Sequence, residues 1–396
     1  MLLGLGVVGL LVLANAICPV KTWWATVLSW PASVVAVELA PQLMVLSLLI
    51  TTVLALVGGL ADAVGWIGLV AVGVANVGAL TYLVRFRRNE VSLDPPLRAA
   101  AGGSVTPRYP RSHCIFPFLM WHRAGVRRQR AITYASPGGL NLKLDVYAPT
   151  AKAQSARPAI IYVHGGGLIG GSRHEGIPML THLAANGWVA FSVDYRLSPR
   201  ATFPDQLVDV KRAVAWVRTH ARDYHVDPSF IALSGGSAGA FLSAQAALTA
   251  EDPSLGPGFA DTDTSVAALV ALYGIYDLLD EQVTYWPRLF RLLESAVFKV
   301  TRAAAPGVFL TASPLHQVRP DAPPTLIIYG DRDTLLPPGQ SRRFAHRLRE
   351  VSHNPVNIAE IRGGQHCFDF LPSWRTIGVV EAIERFLTDT HRNHQR

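Results

Sequence analysis

One stretch governs what this chain can become: Phe230-Ile231-Ala232-Leu233-Ser234-Gly235-Gly236-Ser237-Ala238-Gly239-Ala240-Phe241. A short apolar run suited to a buried strand enters Gly235-x-Ser237-x-Gly239, and small, helix-forming residues follow. A strand that turns so abruptly into a helix strains the backbone of its central residue, and bulky neighbours would collide there. Gly235 and Gly239, two positions to either side, and Ala238 leave the room. Such a turn lifts the Ser237 hydroxyl clear of the sheet, open to a base and to a carbonyl carbon. The alternative is a Gly/Ser-rich connection without chemistry, so the rest of the chain has to decide.

Half of the 396 residues are apolar, and the excess sits at the front, where only Lys21, Glu38 and Asp62 are charged among the first 84. Uncharged runs cover residues 1–20, 22–37, 39–61 and 63–84. About 20 apolar residues cross a hydrocarbon core. The first, third and fourth runs are long enough, whereas 23–37 is short, contains Pro31 and suits either a tilted span or the interface, where Trp23, Trp24 and Trp30 are at home. A secretory signal would need a basic leader, which the first run lacks. The expectation is a multi-pass membrane anchor over 1–84, with four spans favoured over three. Gly4-Leu5-Gly6-Val7-Val8-Gly9 imitates a dinucleotide-binding turn but has neither a strand before it nor the acidic partner after it. Ala71, Ala75 and Ala79 form a small-residue stripe, expected to pack another helix of the same chain.

The net charge of +8 has one home. Between residues 85 and 130 ten arginines face only Glu90 and Asp94, an excess equal to that of the whole chain. Basic residues directly after an apolar block suit an anionic leaflet better than nucleic acid, although a solvated linker fits as well. Arg85, Arg87 and Arg88 abut the last run, which places that end, and all that follows, on the cytoplasmic side. Residues 85–128, rich in Pro, Gly and Arg, read as a linker.

From 129 to 396 strand and helix signals alternate. Residues 131–135 and 141–147 predict a hairpin about Pro137-Gly138-Gly139, and 159–163, 188–193, 266–273, 325–329 and 356–361 predict further strands. Helices are expected at 177–186 and from Phe203-Pro204 to about Tyr224. Such alternation means one α/β domain with a mainly parallel sheet covered on both faces.

Two further segments stand at strand ends. His164-Gly165-Gly166-Gly167 follows a buried strand, so backbone N–H groups there can approach a ligand unobstructed. With the N–H of Ala238 they can hold an oxygen that becomes negative. No Lys-Ser/Thr follows to make a phosphate loop. Downstream, Gly330-Asp331-Arg332-Asp333 closes one strand and Gly363-Gly364-Gln365-His366 another. His366 would take the Ser237 proton, and Asp333, with Asp331 as its rival, would hold the imidazole. His164 is read as a structural hydrogen bonder. Neither a metal nor an organic cofactor is implied, because the histidines show no ligand spacing and Cys18, Cys114 and Cys367 form no pair motif.

These segments, together with Asp194-Tyr195-Arg196-Leu197-Ser198-Pro199 and Phe203-Pro204 with Asp209, make the chain resemble the α/β-hydrolase esterases and lipases of the hormone-sensitive-lipase-like group over roughly residues 129–390. The resemblance implies an α/β-hydrolase fold and carboxylester hydrolysis. It further implies a triad of Ser237, Asp333 and His366 and an oxyanion hole lined by Gly166, Gly167 and Ala238, with Gly165, Gly235 and Gly239 in support. The substrate expected is a short- to medium-chain or lipid ester. Amide or formamide hydrolysis, sugar deacetylation, a non-catalytic small-ligand binder and a membrane scaffold are the other readings. The chain departs from the group at Ser198-Pro199-Arg200, where Ala-Pro-Glu is usual, and lacks evident N-terminal cap helices. Residues 278–312, with Tyr285, Trp286, Leu289, Phe290, Leu292, Leu293 and Phe298, offer either a lid or ordinary packing on the sheet.

Overall fold

β-Branched and aromatic runs bounded by turn residues become strands, and among the described residues nine of them join one sheet. They are β1 (Val91–Leu93), β2 (Val126–Ala135), β3 (Leu142–Pro149), β4 (Arg157–Val163), β5 (Val189–Val193), β6 (Val226–Gly236), β7 (Ala268–Leu272), β8 (Thr325–Gly330) and β9 (Val356–Ile361). The structure, a computed structural model, describes residues 1–20, 22–87, 91–93, 109–280 and 287–396. The strand order is β1-β9-β8-β7-β6-β4-β5-β3-β2. The strands from β5 through β4, β6, β7 and β8 to β9 pair in parallel, and β1, β2 and β3 pair antiparallel at the two edges.

Central strands buried on both faces need apolar side chains in both directions. In β4, Ile161 and Val163 enter one core, while Ile160 and Tyr162 enter the other. The first core is closed by α7 (Asp205–Thr219), α8 (Ala238–Leu248) and α11 (Gly339–Val351), the second by α6 (Ile177–Ala185) and α12 (Trp374–His394). The helix expected to reach Tyr224 stops at Thr219, and a 3-10 turn over Ala221–Tyr224 follows.

The boundary expected at residue 128 is corrected. β2 begins at Val126, and β1 pairs with β9, Val91 opposite Ile361 and Leu93 opposite Ala359. Residues 109–121, also assigned to the linker, form α5 (Arg111–Ile115) and a 3-10 turn over Pro117–Trp121. Tyr109, His113 and Cys114 are buried there. Three of the ten arginines serve the domain itself. Arg111 lies over Trp374, Arg123 over Tyr109, and Arg128 over Trp121 and Tyr147, with an ion pair to the buried Asp145. Much of the rest of the linker, residues 88–90 and 94–108, lies outside the described residues.

The first 87 residues form α1 (Leu2–Ile17), α2 (Trp23–Glu38), α3 (Ala40–Leu54, continued by a π turn Ala55–Gly59) and α4 (Ala63–Arg87). By length and composition two segments could cross a membrane, Ala40–Gly59 with 20 residues and Ala63–Arg85 with 23. Their exposed faces carry Val45, Leu48, Leu49, Val53, Ile67, Val70, Val74 and Val77. The small-residue motifs meet each other: a Cβ on Gly6 would lie 2.5 Å from that of Ala71, and one on Gly68 2.3 Å from the Leu3 nitrogen.

This bundle is docked on the α/β domain. Glu38, at the end of α2, is buried in an ion pair with Arg375 and accepts the Ser373 hydroxyl at 2.5 Å. Arg332 donates to the Ile17 carbonyl and lies 5.9 Å from the Tyr82 ring, and Gln42 donates to the Cys114 carbonyl.

Beneath the β6–α8 turn, a Cβ on Gly239 would sit 2.0 Å from the Val163 carbonyl oxygen. Gly239→Ala is therefore expected to cost about 1–3 kcal/mol through overpacking, read as a melting temperature lowered by roughly 3–10 °C. Gly307→Ala, in α10 (Pro306–Ala312) with nothing within 4 Å of its added methyl, should leave the melting temperature unchanged or slightly raised.

Candidate active site

Ser237 sits between β6 and α8 with φ 56° and ψ −121°, a backbone conformation that L-residues adopt only when the surroundings hold them there. Its N–H is fixed by the Leu272 carbonyl at 2.9 Å, and its own carbonyl accepts the Phe241 N–H at 3.1 Å, the first turn of α8. The hydroxyl points at His366, whose Nε2 lies 2.9 Å from Oγ. On the other side, Nδ1 of His366 lies 2.7 Å from Oδ2 of Asp333. An ionised carboxylate can only accept, so Nδ1 carries the proton and Nε2 is free to take one from the serine.

Asp333, not Asp331, faces the imidazole. Asp333 Oδ1 accepts the Leu335 and Leu336 N–H groups at 2.9 and 2.7 Å, which turns Oδ2 toward the histidine. Asp331 is occupied elsewhere, accepting the Gly363 N–H at 2.6 Å. Gln365 ties the two loops together, its Oε1 accepting the Thr334 N–H at 2.7 Å and the His366 N–H at 2.9 Å.

The glycine loop lies across from the hydroxyl. Gly166, Gly167 and Ala238 line one cavity of about 340 Å³ together with Ser237 and His366. Gly166 has φ +98°, and a Cβ on it would lie 2.3 Å from the Gly170 carbonyl oxygen. The Nδ1 of His164 lies 2.8 Å from the Gly165 carbonyl, and its ring stacks at 4.2 Å on Tyr195. Burial holds its pKa down to about 4, so the ring is neutral at ordinary pH. The Tyr195 hydroxyl bonds the His164 and Gly165 carbonyls, both at 3.1 Å, and the Ser198 N–H bonds the Leu168 carbonyl at 2.8 Å. The segment that departs from the group at Ser198 thus buttresses this loop.

Apart from Glu175, the rest of the cavity wall is mostly apolar, with Phe241, Leu278, Leu289, Leu293, Phe298 and Leu336 among its residues. Leu289, Leu293 and Phe298 belong to the segment that offered a lid or plain packing: Leu293 and Phe298 are buried in the core with Leu289 packed against it, and all three line the cavity. Tyr285 and Trp286 lie outside the described residues.

Several residues here are not expected at the site from the sequence, where Trp30 reads only as a residue of the membrane interface. Glu175 accepts the Gly165 N–H at 2.9 Å, and burial raises its pKa. Tyr273 packs edge-on to His366 at 4.8 Å and donates its hydroxyl to the buried Asp369. Trp30, from α2, packs edge-on to His366 at 5.7 Å and lines the cavity. Glu175 stands in an unpatterned loop, and the other contacts join segments far apart in the chain. Cys367, beside His366, is buried with its thiol pKa raised by that burial, which suits a packing residue and not a second nucleophile. Among the described residues no group of His, Cys, Asp and Glu could hold a metal ion.

Known proteins resemble this chain over the same region. The BD-FAE family profile matches residues 144–348, which includes the glycine loop, Ser237 and Asp333 and stops short of His366. The probable carboxylic ester hydrolase LipM of Mycobacterium tuberculosis is 42% identical over 66% of this chain and 61% of its own length. The esterase LipC of the same organism is 38% identical over 78% of both chains. The solved esterase 2 of Thermogutta terrifontis superposes with a TM-score of 0.56 at 26% identity, covering 67% of this chain and 95% of that one. It has also been solved with propionate and with butyrate bound.

Burial pushes the Asp369 carboxyl up from 3.8 to about 6, the Tyr273 hydroxyl pulling the other way. Its folded pKa exceeds the unfolded one, so its contribution to stability is full below about pH 3.8 and is lost as pH rises to about 6. His164 runs oppositely: its contribution is present above 6.5 and is lost as pH falls toward about 4. Asp369→Asn keeps an acceptor for Tyr273 and removes one of these titrations. The melting-temperature difference, variant minus wild type, should then be more positive at pH 7.5 than at pH 4.5 by a few degrees. Equal differences at the two pH values would exclude a raised Asp369.

Proposed function

This chain belongs to the BD-FAE family, and from that membership we propose that it is a serine carboxylester hydrolase working through an acyl-enzyme on Ser237. The observation that carries the reading is the pair of hydrogen bonds linking Ser237 Oγ, His366 and Asp333 at 2.9 and 2.7 Å at the edge of an apolar cavity. The esterase relatives support the reaction class. His366 takes the Ser237 proton as Oγ attacks the ester carbonyl, and Asp333 steadies the imidazolium that forms. Backbone N–H groups of Gly166, Gly167 and Ala238 stabilise the oxyanion, a contribution of about 3–4 kcal/mol for a donor of this kind. His366 then returns the proton to the leaving alcohol, and water, deprotonated by the same imidazole, releases the acid. A cavity walled by leucine and phenylalanine favours a short- to medium-chain or lipid acyl group over a sugar ester.

The same reading puts the chain in a membrane, with the hydrolase domain on the cytoplasmic side. Support comes from α3 and α4, which are long and apolar enough, and from the arginines at the end of α4. Four crossings fit less well than three. α2 engages the hydrolase domain through both Trp30 and Glu38, which supports reading it along that domain, with α3 and α4 as crossings and the shorter, 16-residue α1 beside α4 as the third. The start of α1 packs beside Gly68, near the start of α4, and its end reaches Arg332, which supports an N-terminus on the far side.

Hydrolysis of nitrophenyl esters of graded acyl length by the detergent-solubilised full chain tests the chemistry. Ser237→Ala should lose at least about 10³-fold in kcat, and equal rates in the two proteins would end the esterase reading. For topology, protease protection of tags at the two termini should find the C-terminus cytoplasmic and the N-terminus opposite. Both termini on one side would rule out three crossings.

A further inference from the structure

Among the described residues, every one lining the Ser237 cavity comes from the stretch 166–370, with one exception, Trp30. Trp30 sits midway along α2, and α2 is held onto the hydrolase domain at its C-terminal end, with a further tie at the end of the preceding helix α1. At its C-terminal end are the buried Glu38–Arg375 pair and the Ser373 hydroxyl. Before its N-terminal end, Arg332 holds the Ile17 carbonyl. A buried polar stripe, Thr26, Ser29 and Ser33, faces inward along the helix. Ser29 Oγ donates to Asn15 of α1 at 2.5 Å and accepts the Val20 N–H at 3.0 Å. Leu28, by contrast, is 76% exposed. The face of α2 that carries Trp30 is thus presented to the cavity by several polar anchors and not by a loose apolar contact.

Where the indole sits decides what it can touch. The imidazole of His366 gives its proton to the departing alkoxide, so the alcohol half of an ester must lie beside Nε2 when the bond breaks. The indole edge packs against that imidazole at 5.7 Å. Phe241, Leu289, Leu293 and Phe298, which come from α8 and the segment after Pro287, line the same cavity and are left as walls for the acyl half. From this arrangement we infer that Trp30 is a specificity-determining residue for the leaving alcohol, a wall of the active site supplied by the N-terminal helical segment. The inference rests on the esterase reading and extends it to the substrate half that faces α2. An aromatic wall favours flat or bulky apolar alcohols and excludes water from the imidazole edge.

The test is a matrix of esters with the full chain in detergent: one acyl group, butyryl, on methyl, butyl, phenyl and naphthyl alcohols, and one alcohol, nitrophenol, with graded acyl groups. Trp30→Ala and Trp30→Phe are compared with wild type, and Leu28→Ala serves as the control on the exposed face of the same helix. Melting temperatures identify any variant that has lost its fold, and Trp30→Phe keeps an aromatic ring if the alanine variant has done so. The expected result is a swing of roughly tenfold or more in kcat/KM between methyl and naphthyl esters in Trp30→Ala, carried mainly by KM. Trp30→Phe should show a smaller swing, Leu28→Ala none, and the ranking along the acyl series should stay parallel throughout. An active wild type whose alcohol ranking is unchanged in Trp30→Ala, or whose acyl ranking alone moves, overturns this inference and leaves the esterase reading standing. A wild type inert toward every ester overturns the esterase reading, and this inference with it.

Discussion

The site depends on one close approach. Gly239, in the first turn of α8, lies so near the Val163 and His164 carbonyls that no side chain fits between them. The contact brings the end of β4, from which the glycine loop departs, against the turn that carries Ser237. Because both strands run in the same direction in adjacent positions, their ends deliver the amide donors and the hydroxyl to one spot without a long connection. The strained backbone at Ser237 is tolerated because β6, α8 and the Leu272 carbonyl over-determine it.

The imidazole is placed by a second set of constraints, all at the ends of β8 and β9. Asp333 is aimed by two backbone N–H groups, Gln365 joins its loop to that of His366, and Tyr273 limits one face of the ring. None of these contacts is strong alone. Together they hold a buried carboxylate and a buried imidazole within hydrogen-bond reach in a cavity whose walls are mostly hydrocarbon, where such contacts weigh more than in water.

How much of this was legible in the sequence follows from how local each signal is. Ser237, His366, Gly166 and Gly167 are written as short motifs at strand ends, and the central strands as unbroken β-branched runs, so both could be read directly. Asp331 and Asp333 leave the same strand two residues apart, and composition does not separate them. The decision comes from which carboxylate the Leu335 and Leu336 amides turn inward. β1 is three residues long and has no periodicity to read, since its strand character comes only from pairing with β9. Four apolar helices could be inferred from four uncharged runs, but the length of a run does not reveal that Glu38 would meet Arg375. Trp30 and Glu175 carry no local signature, because their roles consist of contacts with distant segments.

The seam between the N-terminal helices and the hydrolase domain changes what the first 87 residues are. A tether could be cut and replaced. Here Glu38 pairs with a guanidinium in a buried joint, and an indole from the same helix packs against His366. Excising the helices would therefore not release a smaller protein with the same chemistry. It would remove the carboxylate and the apolar cover from Arg375 and leave the imidazole edge bare to solvent.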